Sequence, residues 1–235
     1  MTHTVLLNNV EHADLRIVTS RGADWGDDVM SALVFPAEFR SVQAHYPIVF
    51  QKSIDGSFQP IALFGFEQGQ NLFLGPEGWD AHYVPMAIER QPFLIGQAGE
   101  ELVIHVDLDS PRVSRTAGEP VFLPHGGQTE FIDRMNSLLL AIHEGVQATS
   151  SFVEALLVNK LLESFVLDVE RANGSQARLA GLYTIDEDRL TALDGAALES
   201  LSRAGFLHAA YMVVASMSHL RDLIERQNRL DARRD

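Results

Sequence analysis

The chain has 235 residues, enough for one large domain or two small ones, and its 46% hydrophobic and 21% charged content is that of a soluble globular protein. A formal net charge of −14 repels phosphate backbones and anionic bilayers, which argues against nucleic-acid binding and membrane docking. The absence of cysteine excludes disulfides, thiolate metal sites, iron–sulfur clusters and a cysteine nucleophile, and is compatible with the cytoplasm.

The first residues, "MTHTVLLNNVEHADLRIV", carry no basic region followed by a long apolar run, so no signal peptide is read. The first half then reads as β-rich. Short apolar runs at 14–20, 46–52, 59–66, 70–75 and 101–109 are each bounded by Gly, Pro, Asp or Asn. Between two of them, Asp55-Gly56 in "SIDGSF" suits the left-handed conformations of a hairpin turn. "PAEFRSVQAHY" (36–46) predicts a short helix with proline in its first turn.

The second half is helical with one interruption. Residues 129–162 predict a long helix broken near Gly145. Residues 163–187 read as two strands joined at Asn173-Gly174. "DRLTAL" and "DGAALESLSRAG" follow as short helices, the second capped by Asp194. A closing helix from about 206 to 227 sets Leu207, Tyr211, Val214 and Ile224 on one face. Its apolar stretch, 204–220, is 17 residues long, short of the roughly 20 of a bilayer span, and reads as a buried core helix. The expected class is α+β in a single domain over 1–235, with a subdivision near 128 at "PHGGQ".

"GWDAHYVPMAIERQPFLIG" (78–96) concentrates aromatic, proline and ionisable groups. As scaffold, Pro85 starts a helix and Pro92 ends it, Trp79 and Phe93 anchor the ends, and Asp80 pairs with Arg90 or caps the helix. As a binding surface, Trp79, Asp80, Tyr83 and Arg90, with His45 and Tyr46 nearby in sequence pattern, would form an aromatic platform beside a cationic fork for a peptide carboxylate. Two helical turns would put Tyr83 and Arg90 on one side if a helix covered both.

"IHVDLD" sets His105 and Asp107 on one side of a strand. Such a pair supplies two corners of a non-haem iron site, with His125, His143, His208 or His219 as third ligand. One His-x-Asp is a weak signal, and no metal or other cofactor is expected. "LPHGGQT" (123–129) lacks the lysine of a phosphate loop and reads as a loop with a helix start. No G-x-S-x-G hydrolase elbow is present. The acids of "YTIDEDRL" suit a helix start.

"HYPIVF" (45–50), "GWDAHYVPMAIERQPFLIG" (78–96), "DLDSPRV" (107–113), "GLYTIDEDRL" (181–190) and the final helix resemble, in that order, the SapC-like family of soluble bacterial proteins. The family name points to a surface-array (S-layer) context, and such genes stand beside TonB-dependent receptors, halogenase-like flavoproteins and cupin-like oxygenases. The resemblance carries no catalytic residues. A peptide-import permease shares the name, but this sequence shows no membrane spans. The leading expectation is a cytoplasmic, non-catalytic accessory protein that binds a peptide or protein partner. The alternatives are an iron- and 2-oxoglutarate-type oxygenase using His105 and Asp107, and a structural protein of the cell surface.

Overall fold

The computed structural model describes residues 3–99, 101–170 and 176–232. In chain order its elements are β1 (Thr4–Leu6), β2 (Arg16–Ile17), β3 (Ser31–Leu33), α1 (Phe39–Val42), β4 (Ile48–Lys52), β5 (Phe58–Leu63), β6 (Leu74–Gly75), β7 (Gly78–Trp79), α2 (Met86–Glu89), β8 (Phe93–Ala98), β9 (Glu101–Asp107), β10 (Val113–Ser114) and β11 (Glu119–Pro120). There follow α3 (Glu130–Val158), β12 (Leu162–Glu170), β13 (Gln176–Ile185), α4 (Glu187–Thr191), α5 (Gly195–Arg203), α6 (Phe206–Ser216) and α7 (His219–Asp231). The class is α+β, with a strand-rich first half and a helical second half interrupted by the β12–β13 pair. The turn expected at Asn173-Gly174 lies outside the described residues.

Two compact units interleave along the chain. The first takes residues 1–27, 74–79 and 86–144, and the second takes 28–73, 80–85 and 145–235. The division therefore falls inside α3 and at several short crossings of the chain.

In the first unit, β1, β9 and β8 form an antiparallel sheet in the order β1-β9-β8, and β10-β2-β11 forms another. Their apolar residues and the first turns of α3 make one core of Leu15, Ile17, Phe93, Val106, Val121, Phe131, Ile132 and Met135. Thr129 starts α3: its Oγ1 accepts from the Ile132 N–H at 3.4 Å, so "PHGGQT" is a loop that ends in a cap. A buried ion pair ties three segments. Arg112, 1% exposed, donates to Asp27 at 2.6 Å and to the carbonyls of Val18 and Ser20 at 3.0 and 2.9 Å. Burial lowers the Arg112 pKa, and the Asp27 charge opposes that shift.

In the second unit, five antiparallel strands run in the order β12-β13-β4-β5-β3. The β4–β5 hairpin turns as its residues predict: Gly56 has φ 88°, and Asp55 Oδ1 accepts from the Ser57 N–H at 3.0 Å. Phe152 of α3 stacks against Phe39, Phe50 and Phe206 with centroids 5.9, 6.3 and 5.6 Å apart, which joins helices and sheet in one core. Asp186 and Asp194 cap α4 and α5 by accepting from Arg189 and Ala197 N–H groups at 2.9 and 2.8 Å.

Two helix expectations are corrected. α3 continues unbroken through Gly145, because the missing side chain gives room to a neighbour: a Cβ there would lie 2.8 Å from Phe35 Cγ. The closing helix is two helices, α6 and α7, separated at Met217–Ser218. The face that α6 buries consists of Ala209, Ala210, Val213 and Ser216, while Tyr211 is 43% exposed. Ser216 belongs to that face because its hydroxyl accepts from the Ile48 N–H at 2.8 Å and donates to the Val213 carbonyl at 2.6 Å. Among the described residues no helix is long and apolar enough to cross a membrane.

Candidate functional site

The site is built in the second unit from the end of α1, residues 80–83 and α7. α1 closes on a tight turn in which the N–H groups of His45 and Tyr46 both bond to the Val42 carbonyl at 3.0 Å. Consecutive side chains then point apart. Tyr46 turns into the core, fully buried, with its ring edge-on to Phe73 and Phe64 at 4.7 and 5.2 Å. His45 stays half-buried at the surface, 5.9 Å from the His82 ring.

Partly buried polar contacts fix the 80–83 segment. The Tyr46 hydroxyl donates to the Tyr83 carbonyl, and the Tyr83 hydroxyl donates to Glu38 Oε2 at 2.8 Å. The other Glu38 oxygen accepts from the Phe35 N–H at 3.1 Å. This relay of hydrogen bonds ties the segment to Glu38 and Tyr46.

α7 supplies the opposite wall. Arg226 lies over the Phe73 ring at 4.3 Å and donates to Asp80 Oδ2 at 2.7 Å. His219 sets Nδ1 2.7 Å from Asp222 Oδ2 and Nε2 3.0 Å from the Gln43 carbonyl, so it spans from α7 to the end of α1. Between these walls is a groove of about 220 Å³ lined by His45, Phe73, Asp80, His219, Asp222, Glu225, Arg226 and Arg229. Burial, and after it the charges of His82 and His219, lower the His45 pKa, which favours the neutral ring.

The residues expected from sequence are divided between the two units. His45, Tyr46, Asp80 and Tyr83 meet in the second unit, where Asp80 pairs with Arg226 instead of Arg90. Trp79 and Arg90 belong to the first unit. Trp79 is half-buried opposite Leu74 in the β6–β7 pair. α2 covers only Met86–Glu89, between the two prolines, so neither Tyr83 nor Arg90 lies on it and the two-turn spacing does not apply. Arg90 donates to the Phe93 carbonyl at 2.7 Å, and burial lowers its pKa. Phe93 is fully buried against Phe131. The α7 partners Asp222, Arg226 and Arg229 were not singled out from sequence, and neither was Glu38. They sit in an ordinary charged helix and a short turn that carry no local mark of a site.

His105 and Asp107 lie on β9, facing the same side. The His105 ring packs over Gly96 of β8, where a Cβ would fall 2.3 Å from Nδ1, and Asp107 Oδ1 accepts from the Asp109 N–H at 3.1 Å. His125 is exposed in its loop, and His143 is on the first-unit part of α3. His208 and His219 belong to the second unit. Among the described residues no three His, Cys, Asp or Glu side chains are grouped to hold a metal ion.

Fold and groove define an α+β protein with a polar surface site fixed by aromatic packing. The SapC family model matches residues 7–223, and the chain belongs to the SapC family. Neither the curated proteins nor the solved structures contain a match to it.

Proposed function

We propose that the chain is a non-catalytic accessory protein that takes a peptide segment of a protein partner in the groove of its second unit. The observation that carries this reading is the construction of the groove. Its lining is polar and charged, yet its walls rest on a fully buried Tyr46 and a buried Phe73, with Tyr83 and Glu38 locking the intervening segment. Such preorganisation lowers the ordering cost of binding. A volume of about 220 Å³ is below the roughly 300–1,000 Å³ of small-molecule pockets, which are mostly apolar. It suits one or two polar side chains of a longer chain. The acidic, cysteine-free composition supports a cytoplasmic setting for this role.

The test is selection of peptides from a displayed random library on the full chain, beside Ala44→Trp. Ala44 is exposed at the groove, so its replacement plugs the site without opening the core. Peptides enriched on the wild type and lost on the variant support the reading. No enrichment, or equal enrichment on both proteins, sinks it.

A further inference from the structure

The five-stranded sheet of the second unit ends on β12 at one side and on β3 at the other. β3 spans only Ser31–Leu33, a length that offers little to a neighbour. β12 runs nine residues, Leu162–Glu170, and among the described residues β13 is the only strand bonded to it. Its outer edge receives no backbone hydrogen bond from any described residue. Glu163, Ser164, Val166 and Asp168 are exposed along it, Val166 to 47%.

Folded chains keep such an edge solitary with proline, lysine or a bulge. The sequence of β12, LESFVLDVE, holds neither residue, and the irregularity in its pairing lies on the inner strand. Phe165 pairs with Leu182 and Leu167 with Leu179, so Ala180 and Gly181 of β13 together face Val166 alone. Gly181 takes the positive φ, 77°, that suits such a bulge. The outer strand therefore keeps a regular row of N–H and C=O groups facing outward. What the edge does carry is acids, Glu163 and Asp168, the second already met by Arg178 Nε at 3.6 Å.

The acids decide which strand fits. A second β12 laid antiparallel, with Val166 opposite Val166, sets Phe165 opposite Leu167, Ser164 opposite Asp168 and Glu163 opposite Val169. No acid meets an acid in this register. Phe165, Leu167 and Val169 share one face across the junction, and the exposed Val166 meets its own copy. A slip of one residue sets Glu163 against Asp168, a like-charge pair that opposes pairing. We propose that β12 is the docking edge for a second copy of this chain, the two β12 strands pairing antiparallel about a two-fold axis at Val166. The outward backbone groups of each copy then bond to those of the other, and one sheet runs through both.

The full chain is followed by analytical ultracentrifugation over a rising concentration series at about 0.15 M salt, which screens repulsion between two chains of charge −14. A monomer–dimer equilibrium is expected. Val166→Lys places two like charges on the axis and should weaken it roughly five- to tenfold. The chain has no cysteine, so single thiols report the register. Directly opposite residues of antiparallel strands lie about 4.5–5.5 Å apart at Cα, within reach of a disulfide. Under mild oxidation with diamide, Val166→Cys should cross-link faster than Ile54→Cys, a thiol on the fully exposed turn between β4 and β5. Ser164→Cys mixed with Asp168→Cys should cross-link faster than either alone. Circular dichroism checks that Val166→Lys is folded, and the thiol variants decide if it is not. A chain that stays monomeric throughout the series, a dimer of unchanged affinity in Val166→Lys, or Val166→Cys cross-linking no faster than Ile54→Cys would overturn the proposal. So would a monomer that loses selected peptides on Val166→Lys, which would give the edge to another protein.

Discussion

The hydroxyl of Tyr46, fully buried in the core of the second unit, donates to the backbone carbonyl of Tyr83 in the segment that brings Asp80 to the groove. The contact links the hydrophobic core directly to the position of a loop. Tyr46→Phe keeps the ring stacking and removes only the hydrogen bond. It should cost about 1 kcal/mol in urea unfolding and weaken binding of groove-selected peptides. Unchanged stability and affinity would show that the ring contacts alone place the loop.

Asp27 is fully buried between Arg112 and Arg21, whose guanidiniums lie 2.6 and 3.5 Å away. Asp27→Ala leaves Arg112 as a buried charge with only carbonyl partners. Loss of one member of such a pair costs about 3–5 kcal/mol. Denaturant unfolding followed by Trp fluorescence should show this as a large drop in midpoint. A cost under about 1 kcal/mol would mean that water reaches the pair.

Gly96 is small because the His105 ring occupies the place of its side chain. Gly96→Ala forces ring or strand to shift and should destabilise by about 1–3 kcal/mol, as overpacking does. In a His105→Ala background the same substitution should be nearly neutral. This double-mutant cycle, read by thermal unfolding, separates packing from any other role of His105. Equal effects in both backgrounds would contradict the contact.

Arg90 and Phe93 make a matched pair in the first unit. Phe93→Ala empties a core position and should cost about 3–5 kcal/mol. Arg90→Ala loses a partly buried, charged hydrogen bond to the Phe93 carbonyl and should cost about 1.5–3 kcal/mol. Peptide selection on the groove should be unaltered by Arg90→Ala. A variant that retains full stability but loses binding would return the arginine to a recognition role.

The lowered pKa of His45 has a consequence for stability against pH. The unfolded chain binds the proton more tightly, so the folded state's advantage is complete above the ordinary histidine pKa of about 6.5. It is lost as the pH falls below that value and through the lowered folded pKa. Chemical denaturation between about pH 8 and 5 should therefore show a decline toward acid that is smaller in His45→Gln. A wild-type decline that the variant reproduces in full would assign it to other groups.

Local chemistry was enough to read the Asp55-Gly56 turn, the Asp194 cap and the short helix between Pro85 and Pro92, since each depends on residues within one turn of chain. The strand-rich first half and helical second half were legible for the same reason: apolar spacing records which face of an element is buried. Tertiary contact decided the rest. α3 passes Gly145 because the Phe35 ring needs the vacant space, and α6 buries its alanine and serine side because a close approach to β4 requires small residues and a hydroxyl for the Ile48 N–H. His45, Tyr46, Asp80 and Tyr83 were marked by their residue types, but their neighbours on α7 were not. Asp80 and Arg226 are 146 positions apart, and no local pattern encodes a pairing that arises only when packing brings two distant surfaces together.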